Sequence, residues 1–354
     1  MPACPAAVRA ALLAAASLAL ATVLHSSAAG QLPRLETAGL IGCVLCQGPS
    51  AFDAIQALAV APDGSILVAD RSDPIVRIFN PDGTVVLAHG RTGEGPGEHR
   101  LAIHVAPLPG GGHETYDMRL RRHTAFDAAG AVVATRNAAT FADVATRAPG
   151  GALHLAAPDF RTFTSSLLRW PDAGGAHTLL TEARPDPAEA SDPARLYVAA
   201  APGGGLAYGY GELAYVIHRL DGAGNPLPPL RRQLPRPRRT PAELEAARER
   251  LAAGRARLGA MAAAEGGLPP AAEPGSEESH FSALAHDEQG RLWVLTNRGD
   301  LERTVLDVFG RDGSYLGELV VPVGLRQLAL GAGLLAGLAV DGNGVERVAL
   351  WRIQ

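Results

Sequence analysis

The sequence contains no lysine, so that all 32 of its basic residues are arginine. Lysine is the nucleophile of Schiff-base enzymes and the phosphate-binding cation of the Walker loop, and both kinds of chemistry are therefore excluded. The arginines are scattered along the chain and are outnumbered by 36 acidic residues, which leaves a net charge of −4. Because the net charge is negative and the arginines extend along the whole chain, nucleic acid is not an expected partner.

The composition also disfavours a helical bundle and global disorder. Glycine and proline, with 41 and 27 residues, make up about 19% of the chain, above the roughly 12% of ordinary proteins. Long helices therefore cannot account for most of the length, whereas a hydrophobic content of 47% is ordinary for a folded chain. The 354 residues could form two domains, although all-β architectures often reach this length as a single domain.

Only one apolar run comes near the length of a membrane span, and it lies at the N-terminus. Residues 10–24 follow Arg9, and the small residues Ser27 and Ala29 come shortly after them. This is the three-part form of a secretory signal peptide, and the run is too short for a comfortable span. We therefore predict a signal peptide over residues 1–29 and an exported chain, periplasmic or secreted, without stable membrane insertion after cleavage. An uncleaved N-terminal anchor is the alternative.

Two of the three cysteines, Cys43 and Cys46, would remain in the mature chain as Cys-Val-Leu-Cys. An oxidising compartment favours a disulfide between them. A redox pair is expected at a helix N-terminus, but the surrounding residues predict a strand that ends in a loop. Zinc would need further ligands, and the sequence has no second C-x-x-C pair. A structural disulfide or free thiols is the leading interpretation, with a redox or metal role as the alternative.

A repeat of about 45 residues organises the chain. Its clearest copy begins at Gln56 and contains four short β-rich runs, with Pro-Asp-Gly turns at 62–64 and 81–83. A second clear copy, 282–319, matches the first element by element, and weaker copies fill the interval between them. The final segment, 326–354, holds only enough chain for three strands.

Four-stranded units at this period are the pattern of β-propeller blades. Six units can be counted, and residues 32–41 could supply the fourth strand of the shortened last unit. Such closure removes the exposed sheet edges that a linear array would leave. We therefore predict an all-β fold over residues 30–354, a monomeric six-bladed β-propeller that is closed by an N-terminal strand.

One segment breaks the pattern between the fourth and fifth units. Thr240-Pro-Ala-Glu243 is a capping box with proline at the first helical position, and it predicts a helical insertion over residues 240–265. In one interpretation, an apolar stripe of this helix packs on the propeller. In the other, the helix is a lid or a docking element for a partner. The stripe consists of Leu244, Ala247, Leu251, Leu258 and Met261.

The first unit resembles an NHL-type repeat in its runs Ala61-Pro-Asp-Gly64, Ile66-Leu-Val-Ala-Asp70 and Val76-Arg-Ile-Phe-Asn-Pro-Asp-Gly83. The Gly-rich stretch Gly90–Glu98 is similar to the inter-blade loop of exported bacterial six-bladed propellers. The resemblance is specific in the first and fifth units and elsewhere depends mainly on turn spacing. It implies an exported six-bladed propeller and says less about activity.

In a propeller the first strand of each blade lines the central channel, so ligand-binding side chains are expected where those strands begin. Ile103 and Leu196 are alternatives for two of the positions, and the flanking loops add Asp53, His99 and His280. The ring predicts a site for a small polar or anionic ligand, held through Arg326 and the histidines, or a channel filled with water. The candidate ring consists of Gln56, His104, Asp143, Tyr197, Ser282 and Arg326.

The resemblance also implies an enzymatic alternative. Six-bladed propellers of similar shape include calcium-dependent lactonases with acidic and Asn ligands, and a zinc lyase with NHL repeats that uses channel histidines. Calcium needs six or more oxygens, and the strand starts offer Asp53, Asp143 and little else. His99 or His104 with His280 and a third partner could bind zinc on count alone.

We therefore predict a non-enzymatic binding scaffold for a protein or a small polar ligand. No cofactor is expected, and no catalytic or metal-binding residue is assigned. A metal-assisted hydrolase or lyase that uses the central channel is the alternative function.

Overall fold

Short turns that follow directly from the sequence connect the strands of each repeat. In the first repeat, the two Pro-Asp-Gly segments place Gly64 and Gly83 at a φ of +86°, which glycine adopts without strain. Their N–H groups donate to the carbonyls of Ala61 and Asn80, each at 2.9 Å. These turns reverse the chain and allow the flanking strands to pair.

The computed structural model describes residues 30–42, 48–148, 151–159, 164–171, 176–184, 196–210, 214–262, 274–300, 302–340 and 344–354. The predicted signal peptide at residues 1–29 lies outside these ranges, as do Cys43 and Cys46. The signal peptide and the disulfide therefore stay predictions.

The strands form six four-stranded antiparallel sheets, which are the blades of a β-propeller. The N-terminal strand β1 (Leu35–Ile41) belongs to the last blade, so blades are counted here from Ile55. Blade one contains β2 (Ile55–Val60), β3 (Ile66–Asp70), β4 (Val76–Phe79) and β5 (Val85–His89). The loop to the next blade holds a short parallel pair, β6 (Arg91–Thr92) and β7 (Glu98–His99). Blade two contains β8 (Ala102–Pro107), β9 (His113–Asp117), β10 (Arg122–Phe126) and β11 (Val132–Asn137).

The remaining blades follow the same meander. Blade three contains β12 (Val144–Arg147), β13 (Leu153–Asp159), β14 (Thr164–Trp170) and β15 (Thr178–Ala183). Blade four contains β16 (Tyr197–Ala200), β17 (Leu206–Gly209), β18 (Tyr215–Leu220) and β19 (Pro226–Arg232). Blade five contains β20 (Phe281–His286), β21 (Leu292–Thr296), β22 (Thr304–Phe309) and β23 (Tyr315–Val321). Blade six contains β24 (Leu325–Gly331), β25 (Leu334–Val340) and β26 (Glu346–Ile353), and β1 completes it.

The N-terminal strand closes the ring. It pairs antiparallel with β26, from Leu35 opposite Ile353 to Ile41 opposite Val348. The inner strand of blade six packs against the inner strands of blades five and one. The predicted six-bladed propeller with N-terminal strand closure is confirmed.

The apolar core lies in the seams where neighbouring blades face each other. The seam between blades six and one joins Ile66 and Phe79 to Leu350, and all three side chains are fully buried. The seam between blades five and six joins Trp293 and Leu306 to residues of blade six. Because each second strand is covered on both faces, β3 and β25 are apolar along nearly their whole length.

The insertion between blades four and five is helical, as predicted. Helix α1 (Pro241–Ala262) begins with the predicted capping box. The Glu243 carboxylate accepts a bond from the Thr240 N–H at 2.7 Å, and the Glu243 N–H donates to the Thr240 hydroxyl at 3.3 Å. Of the predicted apolar stripe, Leu244, Ala247 and Leu251 are half-buried, and the side chains of Leu258 and Met261 lie outside the described ones, so the packing of the stripe stays a prediction. No helix among the described residues is long and apolar enough to cross a membrane.

The two ends of the insertion pair with each other through residues 236–239 and 276–278, which we term the neck. The Arg239 N–H donates to the Ser276 carbonyl at 2.8 Å, and the Glu278 N–H donates to the Pro237 carbonyl at 2.9 Å. A 2.7 Å ion pair between Arg236 and Glu277 lies beside them. The insertion thus leaves the propeller through a closed, hydrogen-bonded base rather than through two separate linkers.

Candidate functional site

The six inner strands surround a central channel with a cavity of about 770 Å³. Each inner strand packs against the inner strands of the two neighbouring blades. Every blade begins with its inner strand and follows the same meander, so the inner strands run in the same direction. Their starts therefore meet at one end of the channel, which we term the strand-start mouth.

A β-bulge lies at the start of four inner strands. The pairing between the inner strand and the second strand skips one residue in each of these blades. A bulge re-aims the side chain of the extra residue and interrupts the regular alternation. The skipped residues are Gln56, Ile103, Ser282 and Arg326.

All six predicted ring residues line the channel. In blade two, however, the bulge residue is Ile103, and the favoured candidate His104 lies one position further along. In blade three, Asp143 occupies the corresponding place directly before β12. In blade four, Tyr197 lines the channel, whereas Leu196 is buried in the core. A binding role for these residues stays a prediction.

The strand-start mouth is also lined by two polar residues that the sequence did not indicate. Gln327 follows the bulge residue of blade six, and its side-chain amide donates to the Gln56 carbonyl at 3.2 Å. Glu346 begins β26, a third strand, and its carboxylate accepts a bond from the Ile55 N–H at 2.5 Å. Glu346 lies on a third strand of its blade, where the repeat gives no sequence signal for a channel residue.

Glu346 has an unusual electrostatic environment. Burial raises the pKa of its carboxyl group above the usual 4.5, and the charges of Asp70 and Asp53 act in the same direction. The Ile55 N–H and the charge of Arg326 oppose this increase in pKa. The mouth therefore brings two acidic side chains, Glu346 and Asp143, together with one guanidinium.

Arg326 is the exposed cation of the strand-start mouth. In the part of the chain that the structure describes, its guanidinium makes no hydrogen bond and no direct ion pair. Arg147, which also lines the channel, is by contrast bound to a buried carboxylate and is 3% exposed. Arg326 is thus available to contact a ligand in the channel.

An apolar ring follows the polar mouth. In all six blades an apolar residue one or two positions beyond the mouth ring lies along the channel. A ligand that enters from the mouth would place its polar groups at the entrance and apolar groups deeper in the channel. The apolar ring consists of Leu58, Val105, Ala145, Val198, Leu284 and Leu328.

The imidazole of His104 is bound within the seam between blades two and three. Its Nε2 lies 3.2 Å from Glu114 Oε1, and His123 Nε2 lies 2.7 Å from Glu114 Oε2. Arg147 donates its Nε–H to Glu114 Oε1 at 2.5 Å. His104 is therefore a poor candidate for ligand binding, because Glu114 already engages its Nε2. Glu114 itself lies in the middle of a second strand, where a buried carboxylate could not be foreseen.

Tyr197 is also partly withdrawn from the channel. Its ring packs edge-on against Phe281, with ring centroids 5.7 Å apart. This contact belongs to the core cluster between blades four and five. Tyr197 thus contributes to the channel wall and to the seam behind it.

The three predicted flanking-loop residues do not line the described channel. Asp53 is exposed and forms a 2.8 Å ion pair with Arg71. His280 is buried and packs against Tyr215, with ring centroids 5.9 Å apart. His99 is also buried, and its Nε2 bonds to the Thr115 hydroxyl at 2.9 Å. The hairpin and loop geometry around each blade directs all three away from the channel.

A histidine seam, formed by His89, His99 and His113 around Phe126, lies between blades one and two. The Nε2 atoms of His89 and His113 are 2.7 Å apart, and the His113 ring stacks on Phe126 with centroids 4.9 Å apart. Burial lowers the pKa of His99 and of His113 to about 4. Burial also lowers the pKa of His89. These rings are therefore neutral at neutral pH.

The channel does not provide a fitting donor set for the metals of the resembling enzymes. Calcium requires six or more oxygen ligands, and the candidate ring supplies one carboxylate, Asp143, together with the cation of Arg326. His104 and His286 both line the channel but lie roughly 10 Å apart along it, because three strand positions separate their levels. Among the described residues, no group of three or more His, Cys, Asp or Glu side chains could hold a metal ion.

Comparisons with known proteins identify the fold and no family. No protein-family model matches the chain, and no curated protein matches it by sequence. A member of the DUF4221 family from Bacteroides vulgatus has a similar structure, with a TM-score of 0.59 at 8% identity. The match covers 92% of this chain and 99% of that protein.

Two other solved structures have the same architecture. One is a Bacteroides fragilis protein named as a candidate exported protein, with a TM-score of 0.51, 10% identity, and coverage of 91% of this chain and 95% of that one. The other is a luciferin-regenerating enzyme, with a TM-score of 0.50, 13% identity and the same coverage values. At such identities the likeness shows the six-bladed fold alone.

Proposed function

We propose that the protein is an exported, non-enzymatic binding protein that takes a small polar ligand into its central channel. The exposed guanidinium of Arg326 at the strand-start mouth carries this proposal, because it makes no hydrogen bond or direct ion pair within the described residues. A guanidinium in a concave site is suited to hold a carboxylate or another planar anionic group.

The layered chemistry of the channel supports a ligand rather than water alone. Binding sites for small molecules are concave, largely apolar, and carry a few polar groups that fix orientation. Here Arg326, Ser282 and Gln56 lie at the mouth, and the ring of six apolar residues lies behind them. The cavity of about 770 Å³ falls within the usual size range of ligand sites.

The metal-assisted hydrolase or lyase is the weaker candidate. The two carboxyl groups at the mouth, Asp143 and Glu346, supply far fewer than the six oxygen ligands that calcium needs, and the nearby guanidinium of Arg326 disfavours a cation there. Elemental analysis of the purified full chain tests this alternative. One tightly bound zinc or calcium ion per chain would contradict the non-enzymatic proposal.

The binding proposal is tested with hexanoate, whose carboxylate matches Arg326 and whose hydrocarbon chain matches the apolar ring. We expect saturable binding by calorimetry or ligand-observed NMR, and we expect Arg326→Gln to weaken it at least about tenfold. Arg352→Gln is the control, because Arg352 is exposed on the same blade and does not line the channel. Equal affinity in the parent and Arg326→Gln, or no saturable binding, would contradict the proposal.

A further inference from the structure

Glu346 lies beside Arg326 at the strand-start mouth. The two residues belong to β26 and β24 of blade six, which flank β25. Glu346 pairs with Val340 of β25. Ala339, one position earlier, pairs with Leu325, the residue directly before Arg326. The two backbones are two strand spacings apart, roughly 10 Å, which an arginine and a glutamate side chain together can span. The cation of the mouth therefore has an acidic neighbour on its own blade.

The two oxygens of the Glu346 carboxylate have different surroundings. The side chain is half-buried, and Oε2 accepts the Ile55 N–H bond at 2.5 Å, which joins blade six to the inner strand of blade one. In the described part of the chain, Oε1 makes no hydrogen bond and the carboxylate makes no direct ion pair. Oε1 can therefore take up a proton while Oε2 keeps its bond to the backbone.

The charged groups around Glu346 come from two blades. Arg326 of blade six favours the ionised carboxylate, whereas burial and the charges of Asp53 and Asp70 of blade one favour the protonated form. Asp143 lines the mouth from blade three. Of the strands that pair with β26, β25 contains no charged residue and β1 contains one, at its far end. The arginines that pair with the two blade-one carboxylates, at 2.8 and 3.4 Å, are Arg71 and Arg77.

An anion on Arg326 would lie close to Glu346 and would compete with it. The ionised carboxylate repels the anion and reduces the positive potential of the guanidinium. A protonated carboxyl group does neither, and its O–H can donate a hydrogen bond to the anion. Anion and proton therefore assist each other, and each increases the affinity of the site for the other by the same factor.

We infer that the mouth takes up an organic anion together with a proton, with the anion on Arg326 and the proton, supplied by water, on Oε1 of Glu346. This inference rests on the proposed function, because it specifies how the same site binds its anion. Glu346 is then the residue that sets the pH range of binding, and the affinity for an anion increases as the pH falls.

Hexanesulfonate tests this inference, because the sulfonate group stays ionised where a carboxylate probe would itself bind a proton. Its affinity for the full chain is measured by calorimetry from about pH 7.5 to about pH 5 at constant ionic strength. We expect an increase of about fivefold or more over this range, which is a usual strength of coupling between two sites. Experiments in buffers of different ionisation enthalpy should show net uptake of protons on binding. Circular dichroism at each pH shows that the protein is folded.

Glu346→Gln assigns the proton to its residue. The glutamine is neutral at every pH and keeps an oxygen for the Ile55 N–H. We expect this variant to bind hexanesulfonate at pH 7.5 about as tightly as the parent does at pH 5, without proton uptake. A gain in affinity cannot result from misfolding.

Glu288→Gln is the matched control, because it removes the same charge from the opposite end of the channel. Glu288 follows the end of β20 and lines the cavity there, and its carboxylate also accepts a backbone N–H bond, from Ala332 at 2.9 Å. We expect this variant to keep the pH dependence of the parent.

The outcomes separate this inference from the proposed function. If Glu346→Gln keeps the pH dependence of the parent, another group, such as His104, takes up the proton and the inference is wrong. If the parent binds hexanesulfonate equally at every pH and Arg326→Gln weakens that binding, the site binds anions without a proton and only the inference is overturned. If hexanesulfonate does not bind at any pH, the inference is wrong, and if hexanoate does not bind either, the proposed function is overturned as well.

Discussion

Glu114 shows how one buried charge fixes the side chains around it. The carboxylate is fully buried and engages His104, His123 and Arg147. Burial opposes its charge, but the hydrogen bonds of the two histidines and the charges of His104 and Arg147 hold the pKa of Glu114 well below its usual 4.5. The network joins blade two to blade three and holds Arg147 against the seam.

We expect Glu114→Gln to destabilise the protein by about 3 kcal/mol or more, because the buried guanidinium of Arg147 would lose its 2.5 Å ion pair with Glu114. Urea unfolding at neutral pH measures this change. Glu94→Gln is the matched control: Glu94 is 67% exposed and forms a 3.0 Å ion pair with Arg100. That substitution should cost about 1 kcal/mol or less. Similar values for both variants would show that the buried network adds no specific stability.

Residue positions along the inner strands were more predictable than side-chain directions. Turn spacing placed Gln56, Ser282 and Arg326 along the channel, because each lies seven or eight residues before the positive-φ glycine of its turn. The direction of His104 depends on Glu114, which comes from another strand of its blade. Such contacts depend on tertiary packing, which the periodicity of a single sequence does not reveal.

At the scale of elements, local chemistry determined what could be predicted. The Pro-Asp-Gly turns and the Thr240–Glu243 capping box act within a few residues, and both are present where the sequence indicated. The surroundings of helix α1 are less defined, because its described apolar side chains Leu244, Ala247 and Leu251 are half-buried, and whether the stripe packs on the propeller stays a prediction. The neck between Arg239 and Ser276 joins residues far apart in sequence and could not be read from either segment alone.

The neck makes the insertion separable from the propeller. We expect that replacing residues 240–275 with Asn-Gly leaves a cooperatively folded protein, because Arg239 and Ser276 are already a hydrogen-bonded pair that a two-residue hairpin turn can close. Thermal unfolding followed by circular dichroism measures this, with a midpoint expected within a few degrees of the parent.

Deletion of residues 30–41 provides the contrasting variant for that experiment. It removes β1, which supplies the fourth strand of blade six and covers the edge of β26. We expect this deletion to abolish cooperative unfolding or to cause self-association through the exposed edge. If the insertion replacement unfolds as the β1 deletion does, α1 belongs to the propeller core.

At the scale of the whole molecule, blade two differs from the other blades. Its second strand, His113–Asp117, is entirely buried although its sequence is His-Glu-Thr-Tyr-Asp. The corresponding strands β3 and β25 are mostly aliphatic. Blade two therefore adds polar contacts to the apolar clusters of both its seams, the histidine seam on one side and the Glu114 network on the other, and the ring has a polar sector. The repeat predicted six similar blades, because turn spacing indicates where the backbone forms strands and turns. It does not indicate how polar the seams between blades are.

This polar sector predicts that stability falls as the pH is lowered. Burial places the pKa of His99 and of His113 at about 4, whereas each has a value of 6.5 without burial. Between these values the unfolded chain binds more protons than the native protein, so the free energy of unfolding decreases as pH falls from 6.5 towards 4. Each histidine contributes on the order of 3 kcal/mol across the window, a large part of a typical total stability.

Urea unfolding from pH 6.5 to about 5, at constant ionic strength, isolates this effect from the carboxyl groups. Glu114 acts in the same direction but at lower pH, because its lowered pKa stabilises the native state above its unfolded value of 4.5 and this stabilisation is lost only below that pH. We expect His113→Phe, which keeps a ring beside Phe126, to flatten the slope by up to about 1.4 kcal/mol per pH unit. A parent stability that is constant or rises on acidification over this range would show that the histidine seam accepts protons without loss of packing.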